Sequence, residues 1–131
     1  METFMKHILV IDDDDMLRAM LKKLLGNAGY AVDVAADGIE AMKLQQLNPA
    51  DLILTDIIMP DMEGIEVITE LRKKYPATQI IAMSGGGRIN ADQYLTIARR
   101  LGAQKTFVKP FKSSEMLAAV SELLKIDVAG K

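Results

Sequence analysis

The chain has 131 residues, half of them hydrophobic and 26% charged, which suits one domain with a sizeable core and excludes a disordered polar chain. Sixteen Lys and Arg against eighteen Asp and Glu leave a formal charge of −2, so no basic face for nucleic acid or an anionic membrane is expected. With no cysteine, disulfides, thiolate zinc sites and Cys nucleophiles are removed; a single histidine, His7, argues against a Ser-His-Asp triad or a multi-histidine metal site.

Apolar runs alternate with helix-period stretches along the chain. Residues 7–11 (HILVI) are continuous, β-branched and stopped by acids, as a buried strand is. That run is too short for a signal peptide or a membrane span, so a cytoplasmic protein is expected. Met16, Leu17, Met20, Leu21, Leu24 and Leu25 recur at helical spacing, and Gly26 to Gly29 close that helix. Residues 31–35 form a weaker strand. Asp37 and Glu40 resemble a capping box for a helix carrying Ala41, Met42, Leu44 and Leu47, which stops before Pro49. Residues 51–55 form a third strand that ends at Asp56; a loop through Met59 and Pro60 leads to Gly64 and to a helix marked by Ile65, Ile68 and Leu71, ending near Tyr75. Residues 79–83 form a fourth strand, broken by Ser84 and Gly85 to Gly87. Asn90 is a cap candidate for a helix with Tyr94, Leu95, Ala98 and Leu101, ended by Gly102. Residues 105–108 form a short fifth strand that ends at Lys109-Pro110, and Ser113 is a cap candidate for the last helix, with Leu117, Val120, Leu123 and Leu124. Arg72-Lys73-Lys74 and Arg99-Arg100 read as solvated helix faces, and the nine methionines read mostly as core filler, Met59 and Met62 excepted.

The alternation predicts an α/β fold: a doubly wound, five-stranded parallel sheet, in the order 2-1-3-4-5 common at this size, with five helices. Ligands bind such sheets beyond the carboxyl ends of the strands. After the first strand come Asp12 to Asp15, after the third Asp56, after the fourth Ser84, after the fifth Lys109. Strands one and three would be neighbours, which puts Asp12 and Asp13 beside Asp56. Carboxylates held that close repel one another, and a divalent cation removes the conflict; all-oxygen ligands favour Mg²⁺, with Mn²⁺ as a substitute. A lysine, a hydroxyl and a metal form a set that stabilises a transferring phosphoryl group, with Asp56 as nucleophile. Gly85 to Gly87 would let backbone approach a phosphoryl oxygen. Asp14 and Asp15 read more simply as helix-capping and first-turn acids. His7 lies at the opposite end of its strand, and no catalytic part is expected of it.

These residues resemble a known family. Residues 8–13 (ILVIDD) with Leu17-Arg18, residues 51–64 (DLILTDIIMPDMEG), residues 80–85 (IIAMSG), and Gly102-Ala103 with residues 107–111 (FVKPF) are similar to the four motifs of two-component response regulator receiver domains, in order and over nearly the whole chain. The resemblance implies a single receiver domain over residues 1–131, its core about 5–126, with no effector domain. It implies that a phosphohistidine on a sensor histidine kinase or a histidine phosphotransfer protein donates its phosphoryl group to Asp56. In the same way Asp13, Asp56 and the carbonyl of Ile58 would ligate Mg²⁺ directly and Asp12 through water. Ser84 and Lys109 would contact the phosphoryl group, the Lys109-Pro110 bond would be cis, and an unidentified downstream protein would read the outcome on the fourth helix, fifth strand and fifth helix.

Three positions depart from the family pattern. Thr106 stands where a Tyr or Phe switch ring is usual, with Phe107 next to it. Ser84 to Lys109 is longer than in compact members, with the surplus expected between Gly85 and Ile89. Ile58 and Gly86 offer no polar side chain to orient water, so the expectation is slow self-dephosphorylation rather than turnover as an enzyme. Two other readings compete. One is an interaction module of this fold that works without phosphorylation. The other is a metal-dependent phosphatase, which would need an acid where Ile58 stands.

Overall fold

The computed structural model describes residues 5–57, 64–85 and 91–124. The elements run β1 (His7–Ile11), α1 (Asp15–Asn27), β2 (Ala31–Ala35), α2 (Gly38–Leu47), β3 (Leu52–Asp56), α3 (Gly64–Lys74), β4 (Gln79–Gly85), α4 (Ala91–Arg100), β5 (Lys105–Lys109) and α5 (Ser113–Leu124). All strand pairs are parallel, in the order β2-β1-β3-β4-β5, as the alternation predicts.

Because side chains alternate along a strand, the buried central strands supply two separate cores. Leu9, Ile11, Ile53, Ile80 and Ala82 pack against Ala41 of α2, Val67, Ile68 and Leu71 of α3, and Leu95 and Ala98 of α4. On the other face Ile8, Val10, Leu52, Leu54, Ile81 and Met83 pack against Leu21 and Leu25 of α1 and Met116, Ala119, Val120 and Leu124 of α5.

The helix signals read from the sequence act as expected at three ends. Asp14 accepts from the amides of Met16 and Leu17, and Asp37 accepts from that of Glu40. Glu40 reaches back to the Ala36 amide at 2.8 Å. Gly102 ends α4 with φ near +120°, which only glycine adopts without strain. The Asn90 cap lies outside the described residues. At α5 Ser113 is already helical: the Lys112 carbonyl accepts from Glu115 and Met116, so Lys112 holds the capping place.

Other expectations need correction. β4 is not broken at Ser84. It runs on through Gly85, because Ser84 and Gly85 pair with Val108 and Lys109 of β5. Leu47 is exposed, and Gln45 is buried in its stead, since its Oε1 accepts from the Ala50 amide at 2.9 Å in the turn that follows. Of the described methionines only half are core: Met83 and Met116 are buried and Met42 packs against the core, but Met5, Met16 and Met20 are exposed, the last two one turn apart on α1. Arg72 is not part of a solvated face. Its guanidinium donates to the carbonyls of Pro76 (2.8 Å) and Thr78, closing the end of α3, and its stem fills the space beside Gly102, where a β-carbon would lie 2.6 Å from its Cδ. Burial lowers its pKa from the ordinary value. Met59, Met62 and Gly86 to Ile89 lie outside the described residues, as does the expected extra loop length.

Candidate functional site

The parallel sheet delivers the predicted groups to one edge. Asp12 follows β1 and is anchored by its own amide, which donates to the Ala35 carbonyl at the end of β2. Its side chain is wholly buried. Oδ1 accepts from the Asp14 amide at 2.9 Å, and Oδ2 accepts from Lys109 Nζ at 2.6 Å. Asp56 is the last residue of β3, nearly buried, with Oδ2 at 3.5 Å from the same ammonium. Asp13 is exposed. One carboxylate oxygen from each of Asp12, Asp13 and Asp56 lies within 4.8 Å of the others.

Ser84 is buried on β4, and its Oγ has no hydrogen-bond partner among the described residues. A buried hydroxyl left unpaired costs about 1–3 kcal/mol, so its presence here needs a reason. The Lys109-Pro110 bond is cis, as the resemblance implied. Ile58 lies outside the described residues. His7 sits at the far end of β1, its Nε2 at 2.8 Å from Asp33 Oδ2, away from the acids.

Lys109 is pulled in opposite directions. Burial lowers its pKa, but the hydrogen bond to Asp12 and the charges of Asp56 and Asp12 outweigh burial, and the ammonium is held above the ordinary lysine value. A raised lysine contributes its full stability below the unfolded value, about 10.4, and loses it as pH rises through the folded value. The stability advantage of the native chain over Lys109→Met is therefore expected to hold at neutral pH and to shrink above about pH 10. Urea unfolding of both proteins across that range checks it.

The donor set fits a small hard cation. Three carboxylates supply oxygen only, one is open to solvent, and the Lys109 ammonium carries one positive charge against their three negative ones. Gly64, which closes the quoted 51–64 motif but was given no role in the site, adjoins Asp56. It begins α3 directly on the end of β3, its amide donating to the Ile57 carbonyl at 2.5 Å, and a β-carbon there would collide with the Asp56 carbonyl oxygen. A glycine opening a helix soon after a strand-end acid was the available signal. A cleft of about 350 Å³ lined by Leu17, Met20, Pro110 and Phe111 adjoins Lys109.

The usual aromatic switch position is occupied differently. Partners in a parallel register face the same way, so Thr106, paired with Ala82, shares the face of Ser84 and Val108. Phe107 points to the opposite face with Met83 and packs edge-on against Phe111, with centroids 5.7 Å apart. Phe107 therefore does not replace the missing ring.

A family described as the response regulator receiver domain matches residues 8–121. The chain is 38% identical over 123 residues to the chemotaxis protein CheY of Thermotoga maritima, covering 92% of this chain and 98% of that protein. It is 38% identical over 125 residues to the probable transcriptional regulator ycf27 of Cyanophora paradoxa, covering 95% of this chain and 51% of the relative. The chain thus spans about half the length of several curated relatives it matches. Among solved structures, the chemotaxis response regulator CheY4 of Vibrio cholerae superposes with a TM-score of 0.82 at 31% identity, over 92% of this chain and all of that one.

Proposed function

The chain belongs to the response regulator receiver domain family, whose members are phosphoacceptors in two-component signalling, and on that premise we propose that Asp56 takes a phosphoryl group from a phosphohistidine. The observation that carries this reading is the convergence of Asp12, Asp13, Asp56 and Lys109 at one sheet edge, beside a buried Ser84 hydroxyl that has no partner among the described residues.

An Asp56 carboxylate oxygen attacks phosphorus as the bond from phosphorus to the donor imidazole breaks, and the imidazole nitrogen keeps the electron pair. Lys109, already within reach of Asp56, stabilises the charge on the phosphoryl oxygens. Ser84 Oγ donates a hydrogen bond to the same group, which ends its unpaired state. Asp13 and Asp56, with the carbonyl of Ile58, would hold Mg²⁺, and Asp12 would act from behind; the cation supplies positive charge to the phosphoryl oxygens. The donor is a histidine kinase or phosphotransfer protein, and the apolar cleft beside Lys109 offers it a surface. The product carries about two negative charges, which bias the partner-binding face. The described residues contain no helix long and apolar enough to cross a membrane.

Incubation with acetyl phosphate and Mg²⁺ tests the reading. The native chain should gain one phosphoryl group by mass, and Asp56→Asn should gain none. No gain in the native chain would favour a module that works without phosphorylation. Removing the donor should then leave a phosphoprotein that persists for minutes or longer, because Ile58 supplies no group to orient water; decay within seconds would contradict this.

Ser84→Ala separates folding from chemistry. Losing an unpaired buried hydroxyl should leave stability unchanged or raise it by up to about 1 kcal/mol. Phosphorylation should slow by at least about tenfold, as when one donor to a developing oxyanion is removed. Thermal melts and acetyl phosphate time courses read the two effects.

A further inference from the structure

The turn between β1 and α1 is closed by a side chain that bonds the backbone of Asp12 rather than its carboxylate. Arg18, in the second turn of α1, folds back over the turn: Nη1 donates to the Asp12 carbonyl oxygen at 2.7 Å, and Nη2 donates to Asp15 Oδ1. The Arg18 side chain is only 17% exposed, whereas that of Asp15 is 88% exposed, so the pair is not a freely solvated surface bridge.

The carbonyl that Arg18 grips belongs to the peptide joining Asp12 to Asp13. A peptide unit is planar, so fixing its oxygen also fixes the direction in which the chain enters Asp13. Asp12 is otherwise held on every side, by Ala35 through its amide and by Asp14 and Lys109 through its carboxylate. Asp13 is the exposed member of the acid set, and its carboxylate reaches Asp12 and Asp56 only if that peptide keeps its orientation. A guanidinium near the acids could instead weaken cation binding by repulsion. Its charge is already paired with Asp15, however, and its other amino group bonds a backbone carbonyl rather than the acids.

We propose that Arg18 is a positioning residue for the divalent cation: by holding the Asp12 carbonyl it aims the Asp13 carboxylate at the position shared with Asp56. This rests on the receiver reading and names a further residue on which that site depends.

The test uses Mg²⁺ alone, titrated into the full chain and followed by the amide ¹H–¹⁵N shifts of the β1–α1 turn, with thermal melts in the absence of Mg²⁺. Arg18→Ala is expected to weaken Mg²⁺ binding about tenfold, the usual effect of losing a partner that orients a ligand. Its metal-free melting midpoint should stay within about 4 °C of the native chain. Arg18→Lys, which can reach the carbonyl but not both partners, should lose less, and Asp15→Asn, which keeps an oxygen for Nη2, less still. Arg18→Ala binding Mg²⁺ as tightly as the native chain, or more tightly, overturns the proposal. Should Arg18→Ala not fold, Arg18→Met, which keeps the apolar stem but has no donor for the carbonyl, decides on the same terms: weaker binding supports the proposal and unchanged or tighter binding overturns it. A native chain that binds no Mg²⁺ overturns the receiver reading and this inference together; native binding abolished by Asp13→Asn but untouched at Arg18 overturns the inference alone.

Discussion

Lys109→Met is expected to destabilise the Mg²⁺-free fold by about 3 kcal/mol at neutral pH, near the lower end of what breaking a buried ion pair costs. The Asp12 carboxylate is wholly buried and bonds Lys109 at 2.6 Å; with the ammonium gone it keeps one bond, from the Asp14 amide, and faces Asp13 and Asp56 uncompensated. For a domain of this size that corresponds to a fall of about 10 °C in Tm. Asp12→Asn in the same chain should recover most of the loss, because the stranded charge goes with it, and the double-mutant cycle gives the coupling directly. Adding Mg²⁺ to Lys109→Met should restore part of the lost stability. A fall under about 2 °C, or equal losses with and without the Asp12 charge, would mean that the ammonium does not balance the acids. Phosphorylation of Lys109→Met should be slower by about a hundredfold or more, since the charge beside Asp56 is the fixed part of the stabilising set.

Gly64→Ala is the second large effect. The atoms that an added methyl would strike are backbone, the Asp56 carbonyl oxygen and Ile57 Cα, with the Ile57 carbonyl oxygen 2.7 Å away. No rotamer change relieves such a clash, so α3 must back away from β3 or Asp56 must turn. Overpacking of this kind costs about 1–3 kcal/mol or more, and the upper end is expected here because both partners are buried. The distinguishing sign is that acetyl phosphate labelling of Asp56 should fall even in the fraction that stays folded. Gly26→Ala, where a methyl would meet nothing and which lies within α1, should be neutral or slightly stabilising and serves as the control. Native-like labelling in Gly64→Ala would show that the close contact is dispensable.

The fold and the acid set were legible because both follow from short-range pattern. Short, β-branched apolar runs stopped by acids, such as residues 7–11, read as strands buried on both faces, and crossovers of helical length let them return parallel. Once parallel, Asp12, Asp56, Ser84 and Lys109 must share an edge wherever each strand happens to end. What the pattern could not convey is pairing at a distance. That Ser84 continues β4 depends on Val108 lying opposite; that Gln45 rather than Leu47 turns inward depends on an amide five residues away at Ala50; that Arg72 is half-buried depends on the gap left by Gly102. Thr106 was recognisable as a departure, but only the register shows Phe107 on the opposite face from Ser84. Arg18 stood in a quoted motif with no role attached, because a side chain bonding a backbone carbonyl six residues earlier leaves no trace in hydrophobic period.

The joint between Arg72 and Gly102 also decides how α4 can move. At the carboxyl end of that helix the Ala103 amide donates to the Ala98 carbonyl, and Gln104 is doubly bonded to Ile80, at 2.8 Å through its amide and 2.7 Å through its Oε1, while the arginine stem wedges against the glycine. That end is tied to β4 and α3, whereas the opposite end of the ten-residue helix lies about 15 Å away, on the side where β4 ends. Any motion of α4 is therefore expected to be a tilt that leaves the tied end in place, and amide hydrogen exchange should find Ala103 and Gln104 protected longer than the first turn of the helix.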